Sequence, residues 1–278
     1  MDIYVHPCNK KNIGDELNHW FWPELMGDAL HTHHGSLLVG IGTVLNDNLP
    51  KDRDIHVMGS GAGYGELTHH SQWNIHFVRG FLTAKAIGID KAKVASDPGL
   101  LISKLRPQSC DKKHKLSFMP HVNIDSPRYR DFIHSLGWHY ISPSDEESVV
   151  LADIAATEKL ITSAMHGAIL ADAYRTPWLP ISTSPEILNF KWQDWFSSVD
   201  ITAELDVMPP IWPEPPSTLA AKAKDKLKAK VVRHKLEQLA QRGAFQLSKE
   251  GILEQKQAQI VAEIEKAKHL LLSREVCK

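Results

Sequence analysis

Arg79, His121, His166 and Asp15 are the side chains whose types and positions could do chemistry in this sequence. A histidine near neutral pH can donate a proton or hold an oxyanion. An arginine offers paired donors that fit a carboxylate or a phosphate. An aspartate can orient or deprotonate a hydroxyl. His166 and Gly167 lie in TSAMHGAILADAYRTP, residues 162–177. Residues 158–163 read as a short strand, and 166–174 carry the 3.6-residue rhythm of a buried helix. His166 therefore sits at a strand-to-helix turn, where the first N–H groups of the helix are unpaired and ligands gather in open α/β sheets. The same pattern fits a helix-opening segment with an incidental histidine, and the local sequence does not choose between them.

The other candidates carry the same two readings. Arg79 ends a strand-like run over 74–78 and can grip an anion or form a surface salt bridge. His121 ends a strand over 116–119, a position equivalent to that of His166. Arg175 is one of the few other arginines of the compact region. Asp15 follows Asn12 and Gly14 in NIGDELN (12–18). Gly14 permits a tight turn or the close approach of a ligand. Asp15 fits as a cap for a helix over 16–26, or as the wall of a pocket at the sheet edge. GSGAGYG (59–65), with Gly59, Ser60 and Gly61, offers backbone N–H groups to an anion. It has no GK[ST] and does not open a helix as GxGxxG, so it is a weak nucleotide signature.

These residues need elements to position them. Strand-like runs at 2–6, 36–41, 54–58 and 74–78 alternate with helical ones, which predicts a parallel α/β unit over residues 1–105. The charged stretch 106–115 reads as a linker. Strands at 116–119, 138–141, 158–163 and 178–181, with helices at 128–136, 146–156 and 166–174, predict a second such unit over 116–208. A proline-rich segment then opens a helical tail over 209–278, with helices at 217–241 and 248–272. Ile260, Ile264, Ala267 and Leu271 form one apolar stripe on the second. The first is rich in lysine; packing against the body is its favoured role, with a second subunit, a neighbouring enzyme or an acidic membrane surface as alternatives. The expected fold is α/β: two similar halves whose loops face each other across a cleft.

Composition narrows the class. The 278 residues are 42% hydrophobic, enough for one large core or two modest ones. Thirty-two basic against 33 acidic residues give a net charge of -1, which offers no electrostatic case for nucleic-acid binding. Cys8, Cys110 and Cys277 are odd in number and far apart, so neither a disulfide framework nor a zinc knuckle is suggested. Sixteen histidines are scattered, with no HExxH and no compact His/Asp/Cys set, so no metal ligand is assigned. Seven of the eight tryptophans (Trp20, Trp22, Trp138, Trp178, Trp192, Trp195 and Trp212) read as core, with Trp73 the least buried. The first residues lack a signal-peptide pattern and no apolar run reaches the ~18–20 residues of a membrane span, so the expected compartment is the cytoplasm.

An ordered set of blocks resembles the polysaccharide pyruvyl transferase family, within it the succinoglycan-ketalase-like branch. The blocks are NIGDELN (12–18), GSLLVGIGTVLN (35–46), VMGSGAGYG (57–65), FVRGFLTAKAIGI (77–89), SDPGLL (96–101), FMPH (118–121) and TSAMHGAILADAYRTPW (162–178). They cover about residues 1–205. The resemblance implies two Rossmann-like domains in a GT-B arrangement with the site between them. It implies transfer of the pyruvyl group of phosphoenolpyruvate, the donor substrate, onto two hydroxyls of a hexose to form a cyclic ketal. No cofactor is implied. The acceptor would be a surface polysaccharide or a lipid-linked oligosaccharide precursor, handled in the cytoplasm or at the inner membrane face.

The family motif Arg-Leu-His places its histidine on His166, while its arginine falls on Ala164, which removes one positive charge. Within this resemblance His166 and Asp15 are assigned to catalysis, and Arg79, His121, Gly167 and Arg175 to the donor. Asn12, Gly14, Gly59, Ser60 and Gly61 are assigned to the loops facing the acceptor. The alternatives are a glycosyltransferase of the same architecture using a sugar nucleotide, and a non-catalytic scaffold of a polysaccharide-assembly complex.

Overall fold

The computed structural model describes residues 1–7, 10–67, 70–109, 111–184, 186–211, 214 and 216–273. The three cysteines, Trp212 and His69 lie outside them. The chain forms two separate parallel sheets, helices around them and two long C-terminal helices. The first sheet contains β1 (Asp2–Tyr4), β2 (Leu37–Val39), β3 (Ile55–Met58) and β4 (Asn74–Phe77), paired in that order and all parallel. The helices of this half are α1 (Ile13–Glu16), α2 (Asn18–Met26), α3 (Phe81–Ala86) and α4 (Ile102–Leu105).

The second half begins with β5 (Ser117–Met119), α5 (Pro127–His134) and β6 (His139–Tyr140), then α6 (Glu147–Ala155) and β7 (Leu160–Thr162). It continues with α7 (Met165–Ala173), β8 (Trp178–Ser182), α8 (Asn189–Ser198) and β9 (Asp206–Val207). The sheet order is β6-β5-β7-β8-β9, again parallel. Strands β2, β3, β5 and β7 are buried at every position. Parallel strands covered on both faces are expected to be continuously apolar in this way, rather than alternating. Helix α8 and strand β9 were not foreseen. The α8 sequence NFKWQDWFSS buries Lys191, Trp192, Asp194, Trp195 and Phe196, so its polar residues sit inside and its periodicity gave no warning.

The C-terminal helices α9 (Leu219–Arg242) and α10 (Glu250–Ser273) differ in role. The expected stripe of α10 is fully realised: Leu253, Ile260, Ile264, Ala267 and Leu271 join the largest hydrophobic cluster. Gln257 Nε2 donates to Leu100 O at 2.8 Å and Gln259 Nε2 to Val94 O at 3.0 Å. Helix α10 is therefore structural core of the first half, not an appendage. That same cluster takes in Phe21, Trp22, Met119, Ile169, Trp178 and Trp195, so apolar packing runs continuously from one half into the other. Trp22, Trp178, Trp192 and Trp195 are fully buried, while Trp20, Trp138 and Trp73 are partly so.

Truncating Ile264, 2% exposed, to alanine is expected to cost about 2–4 kcal/mol of unfolding free energy. Truncating Val261 on the outer face of the same helix, 42% exposed, should cost under about 0.5 kcal/mol. Urea unfolding of the two variants checks the assignment of α10 to the core.

Candidate active site

Loops at the ends of the strands of both sheets enclose a cavity of about 490 Å³. Asn12 and Asp15 reach it from the loop and short helix after β1, and Thr43 and Asn46 from the segment after β2. His121 comes from the end of β5, Ala164, Met165 and His166 from the opening of α7, and Lys191 from the first turn of α8. Of the candidate residues, the structure brings His166, His121, Asp15 and Asn12 to one wall-to-wall space.

His166 is 9% exposed and its placement rests on two other residues. Its Nε2 lies 3.6 Å from Oδ2 of Asp97, which is wholly buried. Neither atom has a hydrogen-bond partner among the described residues. That distance is too long for a hydrogen bond and short enough for an ion pair with a protonated ring. Asp97 Oδ1 is held by the N–H of Gly99 at 2.9 Å, which fixes the carboxylate. Ser96, immediately before it, adopts φ 119, a conformation that side chains rarely take, and its hydroxyl meets that of Ser198 at 2.7 Å. Strain of this kind persists only where the surroundings impose it. On the other face of the ring, a Cβ placed on Gly14 would come within 1.9 Å of His166 Nδ1. Gly14 is thus required by the histidine rather than by a ligand.

The opening of α7 is bare. Its N-cap is Ala164, with no side-chain cap, so the free N–H groups of the first turn are left to whatever enters the cavity. Thr162 Oγ1 accepts from Ala164 N at 3.0 Å and Ser163 Oγ from His121 N at 2.8 Å, tying the two strand ends together. Gly167 is buried behind this turn. Its missing side chain makes room for Met119 Sδ and Thr162 Oγ1, so it serves packing of α7 on β7 and β5 and does not line the cavity.

Lys191 was absent from the sequence candidates. It is only 7% exposed, donates to Tyr64 Oη at 3.1 Å and lines the cavity. Burial first, and the Arg79 charge second, lower its pKa to about 8, with Asp15 opposing. His121 is lowered to about 3 by burial and by Lys191, so it is neutral at physiological pH. Its Nδ1 accepts from Asn123 N at 3.3 Å, which leaves the proton on Nε2. The cavity therefore combines a buried ammonium, a neutral imidazole donor and an uncapped helix N-terminus, a set suited to an anion.

Several expectations are corrected. Asp15 does not cap a helix: it lies inside α1, where Asn12 Nδ2 donates to its Oδ2 at 2.9 Å. Arg79 is fully buried beneath the cavity and does not line it. Its Nε pairs with Asp194 Oδ2 at 3.0 Å, and its other nitrogens reach Gly42 O, Thr43 Oγ1 and Ala62 O. Arg175 stands at the far end of α7, bonded to Ser248 and paired with Glu250, away from the cavity. Gly59, Ser60 and Gly61 are buried and do not face an acceptor. Gly59 takes φ 90 against Pro98, Ser60 Oγ donates to Gly42 O, and Gly61 leaves space for the Arg79 guanidinium. Lys191 had no sequence signal beyond a charged residue between aromatic ones.

Folding takes the Lys191 ammonium out of water, so its pKa of about 8 replaces an ordinary 10.5. The folded state bears that cost in full below pH 8 and loses it as pH rises to 10.5. Lys191→Met is accordingly expected to stabilise the fold at pH 7 by up to about 3 kcal/mol, with the gain fading over that window. Denaturant titrations at pH 7 and pH 10.5 check the sign.

A profile described as Polysaccharide pyruvyl transferase matches residues 49–185. Over 208 residues the chain is 40% identical to the succinoglycan biosynthesis protein ExoV of Rhizobium meliloti (strain 1021). That alignment covers 73% of this chain and 66% of the relative, just under two thirds of its length. No solved structure matches the chain. The matched stretch carries the strand ends that hold Arg79, Asp97, His121 and His166, and over it the chain is similar to the polysaccharide pyruvyl transferase family.

Proposed function

We propose that this chain transfers the pyruvyl group of phosphoenolpyruvate onto two hydroxyls of a hexose in a surface polysaccharide or its lipid-linked precursor, forming a cyclic ketal and releasing phosphate. The observation that carries the reading is the buried Lys191 ammonium facing the same cavity as His166 and the uncapped N-terminus of α7. The donor carries a carboxylate and a phosphate, and these groups supply positive potential without the arginine that the family motif would have at position 164. Arg79, behind the wall, is paired with Asp194, and its charge acts on the cavity by lowering the Lys191 pKa. The arrangement of two α/β halves about this cavity supports a GT-B type organisation, with Rossmann-like domains over 1–105 and 116–208.

In this reading His166, held beside Asp97, gives a ring proton to C3 of the donor, and C2 becomes electrophilic. A first sugar hydroxyl adds to C2 and its proton returns to His166. Phosphate departs with that proton, and the second hydroxyl closes the ketal, returning its own proton to the ring. Of the two hydroxyl protons, one ends as C–H and one on phosphate. Asp15 orients the acceptor from the opposite wall. His121 donates Nε2–H to a donor oxygen without adding charge.

The α9 helix supports a place for the acceptor at a membrane. It carries six lysines and two arginines against Asp225 and Glu237. Leu219, Leu227 and Val231 are among its exposed apolar side chains. Among the described residues no helix is long and apolar enough to cross a membrane, so this would be contact at the surface, on the cytoplasmic side where the donor is made.

Calorimetry with phosphoenolpyruvate beside a panel of sugar nucleotides tests the donor. Saturable binding of phosphoenolpyruvate is expected, weakened at least about tenfold in Lys191→Met. Affinity should fall as pH rises through about 8 in the wild type and stay flat across that range in the variant. Binding of a sugar nucleotide instead would replace the reading with glycosyl transfer. Inactivity with every donor, together with tight binding of a partner through α9, would favour a scaffold. His166→Ala should lower kcat by about 100-fold or more while the unfolding curve is retained; near-normal turnover would remove the residue from the mechanism. Sedimentation with anionic vesicles, compared with neutral ones, checks the α9 surface.

A further inference from the structure

Folding assembles a ligand group that no sequence motif announced, on the far edge of the second sheet. His114 precedes β5, His139 lies on the edge strand β6, and Asp153 lies in the last turn of α6. The two imidazoles are stacked face to face, with ring centroids 3.7 Å apart and planes within 3°. Both turn Nε2 toward one carboxylate: His139 reaches Asp153 Oδ2 at 2.8 Å and His114 lies 3.9 Å from Oδ1. One donor atom from each residue falls within 4.8 Å of the others. All three side chains are about one quarter exposed, so an ion has access and the ligands are still constrained.

The backbone around the group is tied down. His114 N donates to Ala156 O at 3.1 Å, Glu158 N to His114 O at 2.8 Å, and His139 N to Leu116 O at 3.1 Å. Thr157 Oγ1 donates to Asp153 O at 2.7 Å. Three segments far apart in sequence are thereby fixed around one point.

We propose that His114, His139 and Asp153 form a binding site for one divalent transition-metal ion of the zinc class, separate from the catalytic cavity. Two nitrogens and one carboxylate oxygen suit zinc, cobalt or nickel and are poor for magnesium or calcium, which take oxygen ligands. Bonds of about 2.0–2.1 Å to a tetrahedral ion place the ligand atoms about 3.3 Å apart, so donor atoms that now lie within 4.8 Å of one another must draw together and the stacked rings must tilt. Three protein ligands leave a further position for water. None of the three lines the cavity of the candidate active site, so the ion would clip α6 and β6 to the segment entering β5. Its role is to hold the edge of the sheet, independent of the transfer reaction.

The test uses the full chain freed of metal by chelation. Zinc titration by calorimetry should show one saturable equivalent, and cobalt should give the intense visible bands of a four- or five-coordinate site. His139→Ala and Asp153→Asn should each weaken zinc at least about tenfold, and His114→Ala/His139→Ala should abolish the equivalent. Zinc should raise the Tm of the wild type and not that of the double variant. Circular dichroism and retained phosphoenolpyruvate binding serve as the folding check. If the variants do not fold, the cobalt spectrum of the wild type decides alone: a weak six-coordinate spectrum overturns the proposal. No stoichiometric zinc, or zinc unchanged in the folded double variant, overturns it as well. Donor binding by the metal-free protein is expected to persist, so failure of this proposal is distinguishable from failure of the functional one.

Discussion

The Arg79–Asp194 ion pair is the interaction on which the site depends. Both side chains are wholly buried, and Asp194 also accepts from Thr83 N at 2.7 Å and Thr83 Oγ1 at 2.8 Å. Arg79 belongs to the first half and Asp194 to α8 in the second, so the pair anchors α8 across the molecule. Close approach is built in, because a Cβ on Gly80 would lie 2.0 Å from the Asp194 carbonyl oxygen. A buried pair of this kind need not stabilise the fold over apolar residues, but removing one partner leaves an unpaired charge and costs about 3–5 kcal/mol. What it secures is position. Lys191 sits one helical turn before Asp194, so the register set by the ion pair also aims the ammonium.

The cavity is then a balance of charges arranged by burial. Lys191 is held out of water at a cost in stability, next to an imidazole kept neutral and a helix end left uncapped. Each of these would be repaired in a sequence selected only for folding: a capping residue at 164, an apolar residue at 191, a hydrogen-bonded partner for His166 Nε2. Departures from local consistency gathered in one concave place are what a binding site leaves in a structure. Their shared direction is toward positive potential with donors poised, which is the setting an anion would fit.

The continuous hydrophobic cluster bears on how the two halves work together. Residues of both sheets share it, α8 packs back on α3, and α10 returns to cover the first half after α9 has covered the second. Dense packing of this kind transmits displacement rather than absorbing it. The loops that line the cavity are therefore held by a common scaffold, which keeps the groups they carry in fixed relation to one another.

The sequence by itself determined a good part of this. Apolar runs bounded by small polar residues located eight of the nine strands among the described residues, most plainly β2, β3, β5 and β7, because strands buried on both faces read as continuous hydrophobic segments. The strand-to-helix turn at His166 was legible for the same reason, and the alternation of elements marked out two parallel sheets. The tertiary structure decided what charge and glycine meant. Nothing local distinguishes Arg79, turned inward to Asp194, from an arginine turned toward a ligand. Nothing local shows that Gly14 makes room for His166, or that Asp97 lies beside it. Lys191 emerged only with α8, whose mixed polar and aromatic sequence hides a buried face. His114, His139 and Asp153 met only when three segments folded onto one edge. Periodicity records which face of an element is buried; the partner of a side chain is set by long-range packing, which leaves no spacing to read.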